Sequence, residues 1–598
     1  MAGITAFFSL TKQSDSQKHL LERILLSSFP LPSTQKTIAD VEDSRAAFGG
    51  VFPKHFQRAT STAKSKSGHL LFYGELYNQL GSTTEAEFAL TILDTHGIAG
   101  LKDMNGPFAL FHWNQHKQTL IAATDRLGRF PLFYCFLGNC ICITTDLHPL
   151  FASGLITPSI DHSSLIDFLT IGFPLGENTL FEKIKSVSAG EYLTCSQKGI
   201  EKTRYWKPEY PDTLNDVQPM VEVFQQCNER AIAKRPTSIV ALSGGWDSRA
   251  TIAALATSKN EFSAMTFGEP KSTDVALASG IASHLQLQHE VISADKDFFD
   301  SFDSLAEQVI ILGNCNATID LAFQLFAFKQ LSPRYPMLLD SAGCEFRRGV
   351  RAKIAAQSAS SSSDISDFLL SMYSTGIWNT NIIAKEIYEQ GRLSTHSRLT
   401  HWLESLHLHS FEDEIDAFSW YELWSHHYAH GTPLQTSAIA CHMPYSDNEF
   451  YDLFLQADRS IRWSHRFHQA VIKSLRPSLE QFPISYGHIR VPYGENPLRY
   501  APMVYHRVNN KLSSISGLQW LNSFDNWRPF RPYHKWFVRQ LEKYTREMLS
   551  SQALVSSGYF NTKGVHEFLA QQKSSPQDIS HSISVLLTLA HLLRYITR

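Results

Sequence analysis

Ser238-Ile239-Val240-Ala241-Leu242-Ser243-Gly244-Gly245-Trp246-Asp247-Ser248 runs from a short apolar stretch into Ser-Gly-Gly-x-Asp-Ser, then continues as Arg249-Ala250-Thr251-Ile252-Ala253-Ala254-Leu255. The apolar run reads as a buried strand and the alanine-rich run as a helix. Two glycines let the backbone turn sharply and aim its N–H groups into one concavity. The helix that follows adds the positive end of its dipole, so the whole suits a pyrophosphate. Asp247 is placed to share a Mg²⁺ with such a ligand, and Ser243 and Ser248 can donate to phosphate oxygens. There is no lysine, so this is not the Gly-x-x-x-x-Gly-Lys-Ser/Thr loop of kinases and GTPases.

Around this stretch, strand and helix readings alternate. Ser238 to Leu242 reads as a strand, Arg249 to Thr257 as a helix, Ser263 to Phe267 as a strand and Val275 to Leu285 as a helix. Glu290 to Ser293 and Met337 to Asp340 are further strand candidates. Such alternation predicts a doubly wound parallel sheet with ligands at the carboxyl ends of its strands. After about residue 365 the pattern turns mostly helical. The run Ala356-Gln357-Ser358-Ala359-Ser360-Ser361-Ser362-Ser363-Asp364 reads as a mobile loop near the nucleotide, with a closing lid as one use for it.

Residues 1–208 read differently, as short apolar or aromatic runs separated by turn residues. Examples are His69 to Gly74, Gly106 to Trp113 and Thr119 to Ala123, with Glu85 to His96 as a helix among them. The two prolines in Pro208-Glu209-Tyr210-Pro211-Asp212 mark the boundary to a second domain over 209–598.

A chain of 598 residues is too long for one core. Its 43% hydrophobic and 19% charged content is globular, and a net charge of −3 gives no electrostatic case for nucleic acid. The eight cysteines form no Cys-x-x-Cys pair, which predicts reduced thiols. No apolar window reaches the length of a membrane span, and the first residues lack the basic region of a secretory signal. A cytoplasmic protein without membrane insertion is the expectation.

The pyrophosphate loop resembles that of enzymes that cleave ATP to AMP and pyrophosphate to activate a carboxyl or carbonyl oxygen. Over nearly its whole length the chain resembles the asparagine synthetase family. In the second half the resemblance rests on Ser243 to Ser248, on Thr266-Phe267-Gly268, on Asp274 with the helix leading to His289, and on Pro444-Tyr445-Ser446-Asp447 with a helix over Asn448 to Gln456. In the first half it rests on Gly74-Glu75-Leu76-Tyr77-Asn78, Gly106-x-Phe108-Ala109, Asp125 to Tyr134 and Asn178 to Ile184. It implies an α/β protein: an N-terminal αββα amidotransferase-like sandwich with an N-terminal-nucleophile fold, then an ATP pyrophosphatase domain with a helical C-terminal part. It also implies that ATP is held by Ser243, Gly244, Gly245, Asp247, Ser248, Thr266, Phe267, Gly268 and Gly343. Mg²⁺ would take Asp247 together with Asp340 or Glu345, since Cys344 stands where the family has an aspartate and a thiol is a poor Mg²⁺ ligand.

The departures narrow the function. The family's glutamine hydrolysis uses a cysteine after the initiator Met, where this chain has Ala2. Tyr73 stands in place of an asparagine that donates to the oxyanion, and Thr83 in place of an acidic residue that holds the glutamine amine. Loss of all three roles implies that the domain is a scaffold without glutaminase activity. Branches of the family that use the substrate's own amine include β-lactam synthetases, carbapenam synthetases and lasso peptide macrolactam cyclases. Chain length and the segment Pro483 to Pro497 resemble the lasso cyclases best.

That branch implies an ATP-dependent ligase that adenylates a carboxylate of a precursor peptide and closes a macrolactam, releasing AMP and pyrophosphate. It would work beside a leader-peptide-processing protease. A small-molecule amide or β-lactam synthetase is the alternative reading, and a non-catalytic scaffold the third. Candidate catalytic residues are Glu422 and His426, which share a helix face with His430, and Lys473, beside the place (His468 or Gln469) where β-lactam and carbapenam synthetases carry a catalytic lysine. The aromatic clusters at 417–428 and 519–537 read first as core, and second as walls of a peptide cavity.

Overall fold

The computed structural model describes residues 3–11, 16–29, 34–39, 45–53, 62–256, 258, 260–342, 350–379, 381–486, 489–494, 501, 504–505, 508, 529–572 and 580–597. Its first part is a sandwich of two six-stranded sheets. One has the order β10(Lys185–Val187)-β8(Leu132–Leu137)-β9(Cys140–Thr144)-β1(Gly3–Ser9)-β3(Ala46–Pro53)-β2(Thr34–Ala39). The other has the order β12(Gly199–Arg204)-β11(Glu191–Ser196)-β7(Thr119–Thr124)-β6(Phe108–Asn114)-β5(Gly68–Gly74)-β4(Thr62–Lys64). Phe8, Phe48, Phe111, Trp113, Phe130 and Tyr73 meet between the sheets. The helix Glu85–His96 covers the outer face of the second sheet, its N-terminus closed by a capping box between Thr84 and Glu87.

The second part is a parallel sheet with the order β15(His289–Ile292)-β14(Ser263–Phe267)-β13(Ile239–Ala241)-β16(Met337–Leu339)-β17(Ala440–His442). The strand order reverses between β13 and β16. Doubly wound sheets bind ligands at this crevice, outside the strand ends. The fold expected from the sequence is therefore present: an α/β chain with an amidotransferase-like sandwich, a parallel sheet and a helical C-terminal part. Among the described residues no helix is long and apolar enough to cross a membrane. The described cysteines are buried and unpaired with one another.

A polar seam joins the two parts. Buried Glu75 follows β5 and takes both Nη1 of Arg235 (2.8 Å) and Nζ of Lys234 (2.9 Å), at the end of the helix Gln218–Lys234. Arg129, wholly buried, donates to the Tyr77 hydroxyl (3.1 Å) and across the seam to Ser446 Oγ (3.0 Å). Asn105 Nδ2 donates to Asp447 Oδ1 (2.9 Å) and its Oδ1 accepts from Asn448 N (2.8 Å). These pairs use the motifs Gly74–Asn78, Asp125–Tyr134 and Pro444–Asp447. Part of what makes those motifs conspicuous is thus the joint they form.

The serine-rich run departs from expectation. Instead of a mobile loop, residues 356–364 fall at the junction of two helices, Val350–Ser358 and Ser362–Tyr373. Asp364 Oδ2 accepts from the Ser360 and Ser361 backbone N–H groups at 2.8 and 3.0 Å, and Ser361 closes a capping box with Asp364. Serines low in helix propensity are well suited to that cap.

Candidate active site

The strand β13 ends at Ala241, and residues 242–245 turn into the helix Trp246–Leu255. Gly244 can lie there because it has no side chain: a Cβ would stand 2.7 Å from Ser485 and 2.8 Å from Leu277. The turn is braced from several sides. Ser485 N donates to Gly244 O (2.8 Å), Tyr445 Oη to Asp247 O (2.9 Å) and Gly244 N to Asp274 Oδ1 (3.2 Å). Buried Arg249 reaches Phe482 O (2.7 Å), Pro483 O (2.8 Å) and Gly244 O (3.3 Å), and burial lowers its pKa to about 10. Ser243 and Ser248 hold one another through their hydroxyls at 2.9 Å, ready to exchange that bond for phosphate oxygens.

A 260 Å³ pocket opens over this turn, lined by Ser243, Gly245, Asp247, Ser248, Thr266, Phe267, Asp274, Asp340 and Phe530. The structure thus brings Asp247, from the first turn of the helix after β13, and Asp340, from the end of β16, to one cavity. Asp340 Oδ1 accepts from Ala342 N (3.0 Å) and Oδ2 from Gln435 Nε2 (2.9 Å). Two carboxylates with hard oxygens fit Mg²⁺. Among the described residues the one cluster of three His, Cys, Asp or Glu side chains with metal-ligand spacing lies elsewhere, Cys227 with Asp447 and Glu449, and there Arg230 already bridges both carboxylates. Glu345, Cys344 and Gly343 lie outside the described residues, as does Ala2.

Thr266 is anchored by donation to Leu242 O (2.7 Å), with His289 Nε2 2.9 Å from its hydroxyl. Gly268 has φ +148°, and Glu269 N donates to Phe530 O (2.9 Å), which seats the later segment on the strand end. A Cβ on Gly268 would stand 2.8 Å from Phe530 Cβ and 3.0 Å from its carbonyl. Gly268→Ala is therefore expected to push Phe530 away from the pocket and weaken ATP binding about tenfold. Equilibrium binding of a fluorescent ATP analogue tests this, and unchanged affinity would show that Phe530 does not wall the nucleotide.

A second cavity of 390 Å³ adjoins the first. Ala241, Phe267, Asp340 and Ala342 line both. Its other walls include Asn316, Asp320, Trp424, His427, Tyr428 and Arg531.

The three candidate catalytic residues do not reach these walls. The segment Ser419–Tyr428 is a π-helix, whose wider turn presents Trp424, His427 and Tyr428 to the cavity in place of Glu422 and His426. Glu422 instead faces the sandwich and accepts from Gly176 N (2.8 Å). Burial raises its pKa to about 7, while burial lowers that of His426 to about 4. His430 is also interior, with Nε2 3.2 Å from Asn316 Nδ2. Burial holds the cavity imidazole, His427, neutral, with its pKa lowered to about 4. Lys473 sits on the exposed face of the amphipathic helix Arg466–Leu475. The same helix sends His468, 1% exposed, to Asp247, with Nε2 2.8 Å from Oδ1. Sequence reading missed Arg249, Gln435, Phe530 and Arg531, and passed over His468 in favour of Lys473.

In the sandwich, Tyr73 is part of the core, 4.7 Å from the Phe130 ring and 5.7 Å from Phe52, and its hydroxyl bonds to Thr436 across the seam. Burial pushes that hydroxyl well above the usual tyrosine range. Thr83 is exposed and donates to Leu80 O (2.7 Å).

Residues 65–206 match the family "Glutamine amidotransferase domain" and residues 222–331 the family "Asparagine synthase". Asparagine synthetase [glutamine-hydrolyzing] 3 of Bacillus subtilis (strain 168) is 26% identical over 43% of this chain and 45% of its own length. Amidase chry2 of Gibberella zeae is 29% identical over 30% of this chain and 29% of its own length. Amidase chyE of Penicillium rubens is 29% identical over 31% and 30%. The chain thus spans less than half the length of these relatives. A solved structure of the allosteric regulatory enzyme of purine biosynthesis is similar at 10% identity and TM-score 0.26, over 49% of this chain and 80% of that one, too slight a likeness to argue from. The chain is thus similar to the glutamine amidotransferase domain over residues 65–206 and to asparagine synthase over residues 222–331, and resembles asparagine synthetases over less than half of its length.

Proposed function

We propose that this protein is an ATP-dependent carbon–nitrogen ligase that adenylates a peptide carboxylate and closes a macrolactam with an amine of the same peptide. The observation that carries the reading is the shared wall between the two cavities, Ala241, Phe267, Asp340 and Ala342. A carboxylate in the larger cavity meets the α-phosphate of ATP seated over the pyrophosphate turn. The carboxylate oxygen attacks the α-phosphorus, the bond to the β,γ-phosphates breaks, and pyrophosphate leaves. The amine then attacks the acyl carbon, the bond to AMP breaks, and the amine's proton passes to a neutral acceptor; His427 offers a lone pair in this cavity. Holding both partners in line supplies much of the rate. When bound by Asp247 and Asp340, Mg²⁺ neutralises phosphate charge.

The amidotransferase-like sandwich serves as a scaffold in this reading. Tyr73 supports that role, since it fills the space between the sheets and ties β5 to Thr436, the neighbour of Gln435, which holds Asp340. The substrate is a precursor peptide, with a leader-processing protease as working partner. A cavity of 390 Å³ also suits a small molecule taken up whole, which supports small-molecule amide ligation as the second reading.

ATP–pyrophosphate exchange with panels of peptide and small-molecule carboxylates, alongside a glutaminase assay, separates these readings. The expected result is exchange driven by an Asp- or Glu-containing peptide and no glutamate release from glutamine. Exchange driven by free aspartate together with glutamine hydrolysis would make the protein an ordinary glutamine-dependent synthetase.

A further inference from the structure

Arg531 lies where the two cavities meet. Its neighbour Phe530 lines the nucleotide pocket, while Arg531 itself lines the larger cavity. The guanidinium lies against two rings, 4.7 Å from the Phe530 centroid and 5.9 Å from that of Phe267. Stacking of this kind fixes the plane of a guanidinium without using its N–H donors. One of those donors, Nη1, is buried and has no hydrogen-bond partner among the described residues.

The acidic groups of the cavity are otherwise engaged. Asp320 accepts from the Thr318 hydroxyl, and Asp340 accepts from Gln435 and Ala342. A buried cationic donor without an anion is costly, and a fork of parallel N–H groups matches a carboxylate in shape and charge. We propose that Arg531 is the carboxylate clamp of the larger cavity, holding the substrate carboxylate at the boundary with the nucleotide pocket.

The inference rests on the ligase reading for its purpose and stands apart from it in its test. Charge attraction brings the carboxylate in, and the stacked guanidinium keeps it from drifting into an apolar surround of Phe267, Leu321, Phe328, Leu338 and Met443. A lysine would keep the charge and lose both the stacking and the two-pronged geometry. The ligand class is therefore a carboxylate carried on an apolar or aromatic body.

Equilibrium dialysis of the full chain against benzoate and the isosteric benzamide reads this directly. Saturable benzoate binding is expected, at least tenfold tighter than benzamide, with the preference abolished in Arg531→Gln and reduced in Arg531→Lys. Affinity for a fluorescent ATP analogue should stay within about threefold in both variants. No saturable benzoate binding, equal binding of the two probes, or a preference that survives Arg531→Gln overturns the clamp. So does a fall in ATP affinity with an unchanged benzoate preference, which would assign Arg531 to the nucleotide. If Arg531→Gln fails to fold, the wild-type discrimination and the Arg531→Lys value still decide. Failure of the clamp leaves exchange in the wild-type protein intact, whereas failure of the ligase reading removes exchange and leaves the benzoate preference.

Discussion

Asp247→Asn lowers ATP–pyrophosphate exchange by about a thousandfold while the thermal midpoint stays within a few degrees of wild type. The substitution keeps the shape of the side chain and removes its charge. Asp247 is a third exposed, so little packing depends on it. Its backbone carbonyl still receives the Tyr445 hydroxyl, and the turn remains braced by Arg249 and Ser485. What is lost is one of the three carboxylates that line the phosphate pocket, the others being Asp274 and Asp340. Asp247 would act on the phosphoryl transition state through the Mg²⁺ it helps to hold, and loss of that hold would cost several kcal/mol, hence about three orders of magnitude. His468 sharpens the comparison. With its partner carboxylate gone, the buried imidazole 2.8 Å away faces an amide, and Asp340 is left to hold the cation without Asp247. Exchange within threefold of wild type would remove Asp247 from the metal site and leave the pyrophosphate turn as architecture alone.

The stretch that led to this prediction is legible because its chemistry is local. A strand, two glycines and a helix start lie within eleven consecutive residues, and the structure realises them as β13, the turn and Trp246–Leu255. The helix Glu85–His96 falls where the sequence pattern put it, and Asn448–Gln456 where the family resemblance implied it. The rest of the site is assembled from distant segments with no local mark. Phe530 and Arg531 arrive from far along the chain, held by the Phe530 carbonyl to Glu269 N and by ring contacts. Glu422, His426 and His430 do lie at helical spacing, but the π-helix turns Trp424 and His427 toward the cavity, and nothing in the sequence announces a π-turn. Lys473 misled for a related reason. A cation on a strongly amphipathic helix goes to its solvent face, while the residue facing inward, His468, is the one that meets Asp247.

Glu75→Gln is the change with the largest expected cost to the fold, because it strikes the joint between the two domains. Glu75 is 2% exposed, and burial by itself would push its pKa up. Arg235 and Lys234 outweigh that and hold it at about 2, against an ordinary value of 4.5. A shift of that size corresponds to about 3 kcal/mol of stability when the group is ionised in both states. The sign follows from the lowered value. The contribution is complete above pH 4.5, where the unfolded chain's glutamate is charged, and it falls away as the pH drops toward 2, where the folded carboxylate also takes a proton. The substituted amide keeps the shape and one acceptor but leaves Arg235 and Lys234 facing a neutral group. Near pH 7 the sandwich is expected to melt about 5–10 °C below wild type, and the gap should narrow steadily below pH 4.5. Scanning calorimetry at pH 7 and pH 3.5 gives the comparison. A pH-independent gap would assign the loss to packing, and a gap under about 2 °C would show that the seam is held by Arg129, Asn105 and Tyr73 without help from the buried carboxylate.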